Sequence, residues 1–157
     1  MFATVSSDKG HLVQQFGAIP IDYHTTTVED YVRIFTGGLG FDIVYDTVGG
    51  STIDVSFEAV RRYTGHVLSC LGWSTHSLAP LSFRGATYSG VFTLFPMLSG
   101  IGLEHHGEIL TRAAALADEG KLKPLLNALH FSTSDIDAAY GAVESGSLGK
   151  VVVDISA

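Results

Sequence analysis

A group of hydroxyls and a cation follows the first apolar run of the chain. Thr4-Val5-Ser6-Ser7 leads into Asp8 and Lys9, and two hydroxyls with an ammonium can all donate to a phosphate oxygen. The same residues suit a plainer role, in which Ser7 caps a helix and Lys9 is solvated on its surface. A second polar run, Glu104-His105-His106-Gly107-Glu108, holds metal-ligand residue types. Adjacent histidines point about 100° apart on a helix, so chelation would need His105 or His106 together with Glu108. A polar helix start, with carboxylates near its positive end, accounts for the run better than a metal site does. The single cysteine, Cys70, reads as a small core residue rather than a nucleophile. Ser, His and Asp are plentiful, yet no G-x-S-x-G elbow accompanies them.

These groups have to be carried by one well-buried domain, because 157 residues are short for two. A net charge of -7 leaves no basic stripe for nucleic acid or an anionic membrane, so neither is expected as a partner. One cysteine excludes an internal disulfide framework and fits a reducing, cytoplasmic compartment. No signal segment is evident, and the longest apolar runs fall far short of the ~20 residues of a membrane span. Charged residues make up 16% of the chain against roughly 25% in ordinary soluble domains. Some apolar surface is therefore expected to face a partner or further chain.

The organising stretch is Gly40-Phe41-Asp42-Ile43-Val44-Tyr45-Asp46-Thr47-Val48-Gly49-Gly50. Ile43-Val44-Tyr45 is a short β-branched and aromatic run closed by Asp46 and a glycine pair, as in a buried parallel strand feeding a tight turn. Ser51 or Thr52 can cap the helix that follows, with Asp54 in a capping-box-like position. Before it, the pattern predicts a strand over residues 1–5 and a short helix closed by Gly17. A second strand at Ile19-Pro20-Ile21 and a helix started by Thr27 and Asp30 and stopped by Gly37-Gly38 come next. After it come a strand over residues 65–72, a loop to Leu81, a strand near residues 86–92 and a helix over roughly 104–119. Ser134 then caps a last helix ending at Gly146, and residues 150–155 form a terminal strand. Alternating strands and helices imply a parallel sheet with helices on both faces.

This ordered set resembles the C-terminal, cofactor-binding part of the medium-chain dehydrogenase/reductase family, in its branch of NADPH:quinone oxidoreductases and zinc-type alcohol dehydrogenases. The resemblance rests on Ser6-Ser7-Asp8-Lys9, Gly17-Ala18, Asp22-Tyr23, the stretch from Gly40 to Gly50, Glu119-Gly120-Lys121-Leu122 and Gly149-Lys150-Val151-Val152. It implies an α/β, Rossmann-like fold, NADPH as cofactor, a small-molecule quinone or enone-like carbonyl substrate, and a homodimer. It places Ser6, Ser7, Lys9 and Tyr23 at the 2′-phosphate and adenine, and Thr47 and Val48 on the adenine side. Leu71, Gly72, Gly90 and Val91 fall beside the nicotinamide and Lys150 near the pyrophosphate. For the four strand-end residues ordinary strand termination is an equal alternative, and for Lys150 a surface salt bridge is the stronger one.

The departures from the family matter as much. No G-x-G-x-x-G occurs: Gly38 and Gly40 are followed by Ile43, and Gly100 and Gly102 by His105. The resemblance implies a catalytic domain, a first sheet strand and this glycine-rich turn, none of which lies within the 157 residues. Residues 1–120 are expected to form a partial Rossmann domain, and 121–157 a helix and strand that pack on the catalytic domain. The missing strand would lie between the first strand and Ile43-Asp46, so the sheet is expected to repack, swap or borrow a strand. The isolated chain is expected to be inactive. A non-catalytic nucleotide-binding or dimer-forming module is the competing reading.

Overall fold

The computed structural model describes residues 1–155, in two compact units, Met1–Phe95 and Pro96–Ala157. The last two residues of the expected 121–157 segment lie outside the described residues. In the first unit the order is β1 (Phe2–Val5), a 3-10 turn (Ser7–Lys9), α1 (Gly10–Gln15), β2 (Ile19–Asp22), α2 (Val28–Thr36), β3 (Ile43–Asp46), α3 (Ser51–Ala59), β4 (His66–Ser69), α4 (Ala79–Arg84) and β5 (Thr87–Gly90). A short α5 (Leu94–Ser99) crosses the boundary between the units. The second unit holds α6 (Leu103–Asp118), β6 (Leu126–Ser132), α7 (Ile136–Glu144) and β7 (Lys150–Asp154). No helix among the described residues is long and apolar enough to cross a membrane.

All strand pairs are parallel, which makes the fold Rossmann-like α/β. The sheet of the first unit is nevertheless in two pieces, β1-β2 and β3-β4-β5. Repacking has not closed the gap left by a central strand. The pieces are joined by side chains. Ile21, Tyr31, Val32 and Ala59 form a buried cluster to which Phe2 of β1 and Phe41 and Val44 beside the break also pack. A second cluster, Ile53, Phe57, Val60, Val67 and Leu81, seats α3 and α4 on β4.

Strand alternation sorts the helices between the two faces. Pro20 lies within van der Waals reach of a Cβ placed on Gly10, so α1 covers the Ala3 and Pro20 face. Ile21, Phe2 and Val44 belong to the opposite face, under α2 and α3. Right-handed crossovers require this arrangement when the chain first steps one way, from β1 to β2, and then back past β1 to β3. In the second unit α7 packs on β6 and β7 as a parallel crossover of its own.

Local signals account for most element ends. Thr27 accepts from the Asp30 amide at 3.2 Å and donates to the Asp30 carboxylate at 2.7 Å, and Gly37 ends α2 in the left-handed region at φ 62. Other expected caps are not made. Ser7 lies inside the 3-10 turn, and Ser6, at the cap position, makes no side-chain cap bond. Gly50 precedes α3 at φ 61 and ψ -136, backbone that glycine adopts without strain. Thr52 turns its hydroxyl to Asp46 instead, and Asp54 meets His76 at 3.1 Å. Ser134 lies within a second 3-10 turn rather than capping α7. The expected loop to Leu81 gives way to α4 from Ala79 on, and residues 126–132 form a strand the sequence pattern did not announce.

Truncating the largest fully buried side chain tests the core: Phe57→Ala should lower the unfolding free energy by about 3–5 kcal/mol. Thr27→Ala should cost about 1 kcal/mol, as a lost cap does. Urea denaturation of the chain measures both, and equal losses would show that α2 is held by its cap as strongly as α3 by its core contact.

Candidate functional site

Parallel strands place their carboxyl ends along one edge of a sheet, where open α/β folds bind ligands. Ser6, Ser7 and Lys9 follow β1, Tyr23 follows β2, Thr47 and Val48 follow β3, Leu71 and Gly72 follow β4, and Gly90 and Val91 close β5. The Tyr23 amide donates to the Val5 carbonyl at 3.4 Å, which sets Tyr23 beside the turn carrying Ser6. That turn closes through the Lys9 amide on the Ser6 carbonyl at 3.0 Å, leaving Lys9 exposed. Asp8 shares the turn. Its carboxyl is held below the usual range, first by a hydrogen bond from the Ser6 side chain and also by Lys9. Ser6 and Lys9 therefore stand beside a carboxylate of their own. Tyr23 is exposed and its ring lies 4.2 Å from that of His24.

At the end of β3 a buried carboxylate ties two loops together. Asp46, 6% exposed, accepts from the Gly49 amide at 2.9 Å and the Ser69 hydroxyl at 2.9 Å, and from the Thr52 hydroxyl. Ser69 in turn accepts from the Leu71 amide at 3.1 Å. The loops after β3 and β4 thus hang on one side chain. They touch so closely that a Cβ on Gly49 would lie 2.5 Å from the Leu71 carbonyl oxygen, and Gly49 has φ +80. Only glycine meets both constraints. Sequence reasoning took Asp46 as the close of a strand and missed this role. Nothing in the spacing pairs it with Ser69, 23 residues on.

Gly72, Gly90 and Val91 come together around a small cavity of about 160 Å³ with Ser69, Trp73, Tyr88 and Phe92. The Trp73 and Phe92 rings meet edge to face at 4.9 Å. The Tyr88 hydroxyl would sit 2.3 Å from a Cβ on Gly72, so glycine is what lets that loop pass over it. Such a space is below the ~300 Å³ of a drug-sized ligand site and admits one ring at most. Beside this pocket, Cys70 is half-buried, with its thiol directed to the Asp46 carbonyl at 3.9 Å. The Tyr45 phenol is held above its usual range, first by its hydrogen bond with Cys70. Lys150 opens β7 in the second unit, opposite Leu126 in register, and is exposed. His105 pairs with Glu108 at 3.3 Å on exposed helix surface.

The family profile of zinc-binding dehydrogenases matches residues 16–153. The chain belongs to the zinc-binding dehydrogenase family. This dehydrogenase-family chain is 49% identical to an alcohol dehydrogenase superfamily protein from Novosphingobium aromaticivorans, with a TM-score of 0.92 over 99% of this chain and 48% of that one. It is 26% identical to the mouse mitochondrial NAD(P)H oxidoreductase RTN4IP1, over 98% of this chain and 41% of that protein. A quinone oxidoreductase of Pseudomonas syringae shares the fold at 23% identity and a TM-score of 0.73, over 97% of this chain and 48% of its own. The chain therefore spans about half the length of each. Its homologues are dehydrogenases and oxidoreductases, and the family binds nicotinamide cofactors.

Two groups implied by the family can be tested against these residues. Among the described residues, no group of three or more His, Cys, Asp or Glu could hold a metal, so a zinc donor set does not lie within residues 1–155. For a nicotinamide dinucleotide the fit is partial. The close approaches at Gly49 and Gly72 are filled by Leu71 and the Tyr88 hydroxyl, while Lys9 with two hydroxyls stands at the end of β1.

Asp46→Ala should loosen both loops together. It leaves the half-buried Gly49 amide and the buried Ser69 hydroxyl without their acceptor, a loss of about 1–3 kcal/mol each at most. Hydrogen exchange should show the Gly49 and Leu71 amides speeding up together. Faster exchange at Gly49 alone would mean that Ser69 holds its loop without Asp46.

Proposed function

We propose that this chain is the cofactor-binding portion of an NADPH-dependent reductase acting on a quinone or enone-like carbonyl substrate. The carrying observation is that Ser6, Ser7 and Lys9 follow β1 and Tyr23 follows β2 at the carboxyl end of one parallel strand pair. The names of an NAD(P)H oxidoreductase and a quinone oxidoreductase among the relatives support it. The bound cofactor would supply the hydride. The chain's residues bind and orient. Lys9, Ser6 and Ser7 donate to the 2′-phosphate, and Tyr23 lies against the adenine with Thr47 and Val48 nearby. The backbone at Leu71, Gly72, Gly90 and Val91 lines the nicotinamide ring, and Asp46 keeps those loops at their spacing. Lys150 would face the pyrophosphate, and residues 121–157 would pack on a catalytic domain. We assign the protein to the cytoplasm on its single free cysteine. The lack of a glycine-rich turn among residues 1–157 favours one other reading, a non-catalytic nucleotide-binding or dimer-forming module.

Asp8 bears on cofactor choice. Its carboxyl is held low, first by Ser6 and also by Lys9, so it puts a negative charge beside the groups that would receive a phosphate. Fusing the N-terminal half of the Novosphingobium aromaticivorans relative before Met1 would supply a phosphate turn. That chimera should oxidise NADPH with a quinone, while the 157-residue chain alone should not. Lys9→Ala in the chimera should weaken NADPH binding roughly ten- to a hundredfold, the worth of one charge-assisted hydrogen bond. NADH binding should barely change, and Asp8→Asn should tighten NADPH. Equal losses for both cofactors on Lys9→Ala would reduce Lys9 to a surface residue. Robust turnover by the chain alone would overturn the partial-site reading.

Association belongs to the same proposal. Val91, Phe92 and Leu94 are exposed beside β5, an outer edge of its sheet. A contiguous apolar edge of this kind suits a twofold partner. Light scattering at micromolar concentration should give a dimer mass or larger, and a monomer mass would count against it.

A further inference from the structure

The segment between β4 and α4 keeps its place with almost no backbone support. Among the described residues, the amides and carbonyls of residues 72–77 make no backbone hydrogen bond, and of residues 71–79 only His76 is not exposed. His76 is thus the one side chain of the segment that turns inward. Its ring reaches two groups of α3. Nδ1 lies 3.1 Å from an Asp54 carboxylate oxygen, and since that oxygen accepts, Nδ1 carries the hydrogen. The ring also meets Phe57 edge to face at 6.4 Å. Only 11% of the His76 side chain is exposed, against 50% of the Asp54 side chain.

This anchor is set against a cost. Nε2 of His76 is buried with no partner among the protein's groups, which disfavours the inward position, so the Asp54 hydrogen bond and the Phe57 contact must outweigh it. A segment held by so small a margin depends on each contact. What it holds is a wall of the small cavity, which Gly72 and Trp73 line and His76 and Asp54 do not. Phe57, 2% exposed, connects the two. The ring that receives His76 also meets Tyr88 edge to face at 5.7 Å, and the Tyr88 hydroxyl backs the cavity against Gly72. The walls at Trp73 and Tyr88 are therefore set from the same buried ring, and Trp73 closes on Phe92 at the other side.

We propose that His76 is a positioning residue for this cavity. By donating to Asp54 and packing on Phe57 it holds the segment so that the Trp73 ring stays against Phe92. With the Asp54 bond broken, Trp73 leaves Phe92 and the cavity loses that wall. The width of the cavity is thereby governed by a pair of side chains outside it. His76 acts in the same way whichever ring enters the cavity, so the proposal stands apart from the cofactor reading, which the chimera tests.

NMR of the full chain tests this, because Trp73 is its single tryptophan and gives one indole resonance. In the unaltered chain the indole should show cross-peaks to the Phe92 ring, and the Trp73 and His76 amides should have order parameters near the ~0.85 of rigid backbone. His76→Leu keeps an apolar contact for Phe57 and removes both ring nitrogens. It should abolish the cross-peaks and lower both order parameters below ~0.6. The unfolding midpoint should change little, since an unpaired buried nitrogen goes together with the lost bond. His76→Asn, whose side-chain amide can stand in for Nδ1 as donor, should keep the cross-peaks. Asp54→Ala, at a half-exposed position of α3, should act as His76→Leu does, and it decides the matter if the latter variant fails to fold. The double variant should be no looser than either single one. Cross-peaks that persist in His76→Leu or Asp54→Ala would overturn the proposal. So would their absence from the unaltered chain, or their equal loss in His76→Asn and His76→Leu.

Discussion

The two sheet pieces of residues 1–95 face each other through side chains, not through backbone hydrogen bonds. Tyr31 and Val32 of α2, Ala59 at the end of α3 and Ile21 of β2 close over the break together with Phe2, Phe41 and Val44. Each large apolar side chain buried in this way contributes about 1.5–3 kcal/mol. A backbone pair left open to water forgoes only about 0.5–1.5 kcal/mol net. The clamp therefore outweighs the break as long as the break stays wet, and the strand ends keep the layout of a continuous sheet. The aromatic contacts of Phe2 with Phe35 and Phe41, at 4.9 and 5.4 Å, hold β1 to the same cluster from its own side.

With that layout fixed, the loops at the strand ends need their own support, and Asp46 supplies it. A buried carboxylate is costly unless its lone pairs are used, and this one takes three donors from two loops. The arrangement ties β3, the start of α3 and the end of β4 to a single group. It also explains why Gly49 stands where it does, since loops drawn this close leave no room for a Cβ beside Leu71.

The alternation of strands and helices was legible in the sequence because each short apolar run is closed by glycine or by polar turn residues and followed by an apolar stripe of helical period. The Thr27-Asp30 box and Gly37 stop were legible for the same reason: their partners are three or four residues away. What remained hidden depends on distance along the chain. Asp46 and Ser69 meet only after β3 and β4 pair, and Thr52 abandons its capping role because that carboxylate is within reach. The strand at residues 126–132 interleaves Asn127 and His130 with apolar residues and is largely exposed, so it lacks a buried run. Ser6, Lys9, Tyr23 and the two glycines of the small cavity could be proposed from resemblance alone. Within each sheet piece their shared edge follows from parallel pairing, but the Asp8 carboxylate beside Ser6 does not.

The low charged fraction and the broken sheet are two expressions of one fact. Ile43 and Tyr45 have the residue types of an interior parallel strand, where both faces are covered, yet here one face is open to water. Phe2 and Thr4 likewise end in edge groups unprotected by the charges, prolines or bulges with which exposed edges are usually blunted. A surface selected to face water would carry lysine or glutamate at such positions, whereas this chain has 16% charged residues and places apolar ones there. The composition thus matches a surface rich in exposed apolar side chains, of which Ile43 and Tyr45 beside the break between β1 and β3 are two.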